Sequence, residues 1–218
     1  MMLNQTHSPK HLSIAGVLLT IGVTIGFLWT AWQWHQRDNW PPKLSVRAIQ
    51  ANEAQTFRHL QQFAQAQKLY KEADWDQDGR KTYAKFPAHL WMSVDKHNQQ
   101  VPVNLVPREL GFAMGADTAV NGYYFRNFDA QEAPETTSIK KIDYASEWAM
   151  AAIPAIYRKT GLLMFLSDSS GEIFVKDTRN IPLFYPANPQ SDEWKRIDTL
   201  EQLQQLQRTM EYGSPDPT

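Results

Sequence analysis

Residues 51–86 read ANEAQTFRHLQQFAQAQKLYKEADWDQDGRKTYAKF, a stretch that opens with helical spacing and closes in an acidic turn around Gly79. Apolar positions Val46, Ile49, Phe57, Leu60, Phe63 and Tyr70 recur mainly three and four residues apart, and Gln, Arg and Lys fill much of the opposite face. That spacing predicts an amphipathic helix from about Leu44 to Glu72. Its apolar stripe needs a cover, supplied either by the rest of this chain or by another protein.

Downstream of the helix the pattern changes period. Gly122-Tyr123-Tyr124-Phe125-Arg126, Leu162-Leu163-Met164-Phe165-Leu166 and Glu172-Ile173-Phe174-Val175 carry aromatic and β-branched residues between glycine-containing turns, as strands do. The last two predict a hairpin across Ser167–Gly171, with a glycine free to take positive φ. Residues 130–142 are polar and contain proline, and read as a surface loop. Trp194, Ile197, Leu200, Leu203, Leu206 and Met210 fall at helical spacing and predict a terminal helix followed by a loose end.

Upstream, Leu12–Trp34 reads LSIAGVLLTIGVTIGFLWTAWQW, without Asp, Glu, Lys, Arg or His. As helix it spans about 34 Å, enough for a hydrocarbon core near 30 Å. A single transmembrane helix is the expected reading, with Trp29, Trp32, Trp34 and Trp40 as an interfacial aromatic belt. A cleaved secretory signal is the alternative, but the apolar run is long for one and lacks a clean small-x-small site. Gly22 and Gly26 form a G-x-x-x-G spacing that would admit a partner helix, the basis for a weak homo-oligomer. Lys10 precedes the helix and Arg37, Lys43 and Arg47 follow it, so the basic-residue count favours a cytoplasmic C-terminal domain. The resulting division is a polar tail at 1–11, the span at 12–34, a junction at 35–43 around Pro41-Pro42, a head at 44–186, and a terminal helix with tail at 187–218.

Composition sets outer limits. The chain has 218 residues, which suffices for one sizeable domain. With no cysteine it forms no disulfide, thiolate metal site or cysteine nucleophile. Lys and Arg total 22 against 23 Asp and Glu, so no global attraction to nucleic acid is expected.

The motifs that carry chemistry are few. Asp74, Asp76 and Asp78 before Gly79 reproduce the first half of a D-x-D-x-D-G calcium loop, whose alternating carboxylates converge on the ion. The twelfth position is Lys85 where such a loop has a bidentate glutamate, and Arg80 and Lys81 add positive charge, so a structural calcium site and a plain acidic turn both stand. His7, His11, His35, His59, His89 and His97 make no compact ligand pattern. Ser169 and Ser170 lack a G-x-S-x-G context and fit a turn, with Asp168 capping local backbone. No glycine-rich phosphate motif is present, so no cofactor is expected. Tyr123, Tyr124, Phe125 and Arg126 could line a ligand face or form a strand buried against the helix.

The order of these pieces, an apolar anchor, the ANEAQTFRHLQQFAQAQKLY helix, the DWDQDGRKTYAKF turn, NGYYFR, and YASEWAMAAIPAIYRKTGLLMFLSDSSGEIFV, resembles bacterial type IV pilin-like proteins, especially divergent pseudopilin-like ones. The resemblance covers roughly residues 12–176. Residues 10–24, KHLSIAGVLLTIGVT, depart from it, with neither a cleavage signature nor a glutamate within the apolar helix. It implies an α+β head in which the long helix covers a small antiparallel β-sheet, with a C-terminal helix added. It also implies a single-pass protein of the cytoplasmic membrane with a periplasmic or otherwise extracytoplasmic head, against the basic-residue count. The expected function is that of a membrane-anchored, non-enzymatic structural or interaction protein, contacting lipid and pilin-like or secretion-assembly proteins. A calcium-stabilised receptor or adaptor is the alternative, and an uncharacterised enzyme the third.

Overall fold

A computed structural model describes residues 44–75, 79–133 and 138–212. The segment read as a membrane span lies outside the described residues, as do the tail at 1–11 and the junction; among the described residues no helix is long and apolar enough to cross a membrane.

Helix α1 runs Val46–Ala73. Ser45 begins it, its hydroxyl accepting from the Ala48 N–H at 3.2 Å, which satisfies one of the donors a helix start leaves unpaired. Asp74, in the left-handed conformation at φ 47°, ends it. The expected apolar stripe forms from Ile49 onward: Ile49, Phe57, Leu60, Phe63, Ala66 and Tyr70 are buried, while Val46 is exposed.

Strands β1 (Met92–Val94) and β2 (Gln100–Pro102) form a small hairpin, and a short helix α2 (Arg108–Gly111) follows. Strand β3 (Tyr123–Asn127) then opens the main sheet. The stretch 130–142, expected to be a loop, instead contains β4 (Ala130–Glu132) and β5 (Ile139–Lys141), paired antiparallel. Its six residues are mostly polar or basic and either half-buried or exposed, so the sequence shows none of the apolar alternation of a strand with one buried face. Strands β6 (Ala149–Pro154), β7 (Leu163–Asp168), β8 (Ile173–Asp177) and β9 (Lys195–Arg196) complete a sheet of order β3-β6-β7-β8-β9, antiparallel throughout. Mixed helix and antiparallel sheet make the protein α+β.

The sheet pleat divides the core in two. Tyr123, Phe125, Met150, Ala152, Leu163, Phe165 and Val175 face the cluster that contains Phe57, Leu60 and Phe63 of α1. Ala149, Ala151, Ile153, Met164, Leu166 and Phe174 lie on the other side, under Phe128, Ile142, Tyr185 and Trp194. All of β6 is buried, which explains why AMAAIP escapes a reading built on alternation: both faces are apolar. Burying one large apolar side chain stabilises by about 1.5–3 kcal/mol, so α1 is held mainly by this face.

Helix α3 is Leu200–Thr209, shorter than the apolar periodicity suggested. Trp194 and Ile197 are buried but precede it, one on each side of the sheet, because Lys195 and Arg196 pair with Val175 and Phe174 as β9. Their three-residue separation, with the two-residue strand between them, mimics helical spacing. Gln207 donates to the Gln50 carbonyl at 3.2 Å, which lays α3 on α1.

Gly161 sets up the turn into β7. An added Cβ there would stand 2.1 Å from the Tyr123 hydroxyl, so only glycine admits the phenol, which donates to the Leu163 carbonyl at 2.7 Å. The expected β7–β8 hairpin forms, with Gly171 at φ 81°.

Candidate functional site

Of the three aspartates, Asp74 is described and Asp76 and Asp78 lie outside the described residues. Asp74 Oδ2 accepts from the Gly79 N–H at 3.2 Å, closing the loop that carries the other two. Its Oδ1 is shielded from water and has no hydrogen-bond partner among the described residues. Among those residues no group of three or more His, Asp or Glu could hold a metal ion.

The other polar candidates serve the fold. Asp168 caps its turn as expected, Oδ1 accepting from the Ser170 N–H at 2.8 Å and Oδ2 from the Tyr185 hydroxyl at 2.7 Å. His59 is packed edge-on to Phe125, and burial pushes its imidazole pKa down. His89 sits edge-on to Phe86, lowered by burial and then by Lys85. Tyr123 and Phe125 are fully buried, so that side of the aromatic strand packs under α1, while Tyr124 and Arg126 are half-buried.

A second cluster lies where α1 begins. Asn52 donates to the Thr160 carbonyl at 2.9 Å. Glu53, on the buried side of α1, accepts from the Leu162 and Leu163 N–H groups at 2.9 and 3.0 Å, from Gln207 at 2.7 Å and from the Tyr212 hydroxyl at 2.6 Å. Burial pushes its carboxyl pKa up, and these four donors work against that rise. Burial likewise raises the Tyr212 phenol, with the Glu53 charge adding to it. Further along α1, Gln67 makes both a donor and an acceptor bond with the Ala84 backbone, at 3.0 and 2.8 Å. Glu53 could have been found in the sequence, because it stands four residues from both Ile49 and Phe57, on the apolar stripe.

Beside β3, the terminal strand of the sheet, an apolar groove of about 560 Å³ opens between Phe86, Met114, Phe128, Leu183 and Phe184. Leu183 is 75% exposed, and Phe86 and Met114 are also exposed. Arg126 steadies one wall: its guanidinium donates to the Pro182 carbonyl at 3.0 Å and lies 5.6 Å over the Phe128 ring. At the rim Lys85 and Asp129 stand 3.8 Å apart. The groove offers apolar area with little polar chemistry, and its walls come from segments far apart in sequence, which is why no local motif announced it.

A family model described as "Protein of unknown function (DUF2950)" matches residues 5–181, and the chain belongs to that family. No curated protein and no solved structure matches.

Proposed function

We propose that this is a membrane-anchored, non-enzymatic interaction protein, a pseudopilin-like head carried on the Leu12–Trp34 span and associated with a secretion or pilus-like assembly. The observation that supports it most is the arrangement of α1: a 28-residue helix that follows the apolar span in the chain and covers one side of an antiparallel sheet. The apolar groove beside β3 supplies the chemistry for protein contact, since exposed Leu183, Phe86 and Met114 gain most by being covered.

The test is a photo-crosslinking side chain placed at Leu183 in the full-length chain in cells, with Arg58 on the exposed side of α1 as control. Identified crosslinks to pilin-like or secretion-assembly proteins from position 183 alone support the reading and report the compartment of the head. Crosslinks only to cytoplasmic proteins reverse the topology and reject an assembly role outside the membrane.

A calcium-stabilised receptor or adaptor is the second reading, favoured by the shielded Oδ1 of Asp74. It differs from the first by requiring calcium for a folded acidic turn and discrete partner capture without incorporation into a filament.

A further inference from the structure

His59 stands on the buried side of α1 with its ring edge-on to Phe125 of β3, the ring centres 6.1 Å apart. Arg58, next to it in the chain and exposed, donates to Oε1 of Gln55 at 3.1 Å. The Nε2 atoms of Gln55 and His59 lie 3.1 Å apart. A guanidinium has donors only, so Arg58 holds the amide oxygen of Gln55 toward itself and leaves the amide N–H groups for the imidazole. His59 therefore accepts at Nε2, and its single proton sits on Nδ1. That nitrogen is shielded from water and has no hydrogen-bond partner among the described residues.

This chain of three side chains suits the neutral imidazole alone. A second proton goes to Nε2, where it meets the amide N–H of Gln55, donor against donor. Turning the amide round offers the imidazolium an acceptor but sets N–H groups against the Arg58 guanidinium, so one of the two bonds is lost either way. Burial acts in the same direction and pushes the imidazole pKa down. Among the described residues no carboxylate or other charged group meets the ring to alter that, whereas Lys85 acts on His89. The folded state thus binds this proton less tightly than the unfolded chain does. The stability His59 contributes is complete above the ordinary histidine value and is lost as pH falls through it toward the lowered folded value.

We propose that His59 is an acid-sensitive wedge in the seam between α1 and β3: neutral, it closes the seam, and protonated, it opens it. The seam reaches the surface through Phe125, which packs on Phe63 of α1 with ring centres 4.9 Å apart and also lines the apolar groove. Resting on the groove as the partner surface, the wedge weakens partner capture in acid.

Nitrogen-15 NMR of the full-length chain, with labelled histidine and the His59 signal identified by its loss in His59→Gln, tests this between about pH 8 and pH 5. The expected midpoint lies below the ordinary histidine value, and the neutral form carries its proton on Nδ1. Hydrogen exchange on the same samples reads the seam. The opening constant for peptides covering 56–63 and 123–127 rises in acid, by up to about tenfold for each pH unit between the unfolded and folded midpoints, and this rise is missing from His59→Gln. Gln55→Glu puts a group that only accepts beside Nε2, so it raises the midpoint and keeps the seam closed in acid, which a merely structural Gln55 does not predict. A midpoint at or above the ordinary value in the unmodified chain, or an equal rise in opening in His59→Gln, overturns the wedge, and the titration of the unmodified chain decides the matter if the variant folds poorly. Crosslinks from Leu183 that stay undiminished while the seam opens overturn its link to the groove. Crosslinks absent at every pH reject the groove as a partner surface and leave the wedge standing, because imidazole shifts and exchange need no partner.

Discussion

The seat of Glu53 and the groove beside β3 flank the same sheet and treat their side chains in opposite ways. At the seat a charged group is fully enclosed and satisfied by four donors drawn from β7 and its approach, α3 and the segment after it. At the groove, large apolar side chains stay in water although a core lies just beneath them. Enclosing a polar group costs free energy that only specific geometry offsets, and leaving apolar area uncovered forgoes stabilisation. The first arrangement suits holding the head together, and the second suits meeting something outside it.

The comparison breaks most visibly on the buried face of α1, which carries Glu53 and packs on Phe125 of the groove lining. Phe63→Ala removes a fully buried ring that lies 4.9 Å from Phe125, and a loss of about 3–5 kcal/mol is expected in urea unfolding. Glu53→Ala leaves the Leu162 and Leu163 N–H groups and two side-chain donors without their acceptor, and about 2–4 kcal/mol is expected to go by the same measurement.

Glu53→Gln sharpens the comparison through pH. Because burial raises the folded carboxyl pKa above the ordinary glutamate value, the folded state holds the proton more tightly than the unfolded chain does. The stability this contributes is complete below the unfolded value and is lost as pH rises through the raised folded value. The unmodified protein should therefore lose stability relative to Glu53→Gln as pH climbs from the ordinary glutamate range toward neutrality, read as the difference between their melting-temperature profiles. A flat difference would mean that Glu53 titrates normally and that its enclosure is incomplete.

Smaller effects belong to the periphery. If the acidic turn holds calcium, the ion raises the melting temperature of the unmodified protein by a few degrees and Asp76→Ala abolishes the rise; no response in the unmodified protein removes the site. Smallest of all, Leu183→Ser should change stability by less than about 0.5 kcal/mol while removing crosslinks formed from a photo-crosslinking side chain at Met114 of the same groove. A large loss of stability would show that Leu183 supports the head and is not held out for a partner.

What could be read from the sequence follows the same division. Helix α1 was legible from its three- and four-residue apolar spacing, and β3 and the β7–β8 hairpin from short runs of aromatic and β-branched residues bounded by glycine-containing turns. Strand β6 was not, since its alanine-rich AMAAIP carries little of that aromatic and β-branched signal, and β4 and β5 were not, since they are short, mostly polar and half-buried or exposed. The start of α3 was misplaced because Trp194 and Ile197 flank a two-residue strand and serve opposite sides of the sheet. Asp168 as a turn cap was legible, since its neighbours within two residues make the turn. The groove was not, because Phe86, Met114 and Leu183 meet only through the fold.

The seat of Glu53 also carries an order in time. Its donors come from residues 109, 110, 154 and 159 positions later in the chain. At about 5–20 residues per second, roughly 8–30 seconds separate the synthesis of Glu53 from that of Tyr212. Until β7 is made the carboxylate has none of its donors, and until Tyr212 is made α1 lacks its last fastening. Gln207 and Tyr212 are the last of the four donors to be made, so a product truncated before Gln207 would leave Glu53 without its outer donors.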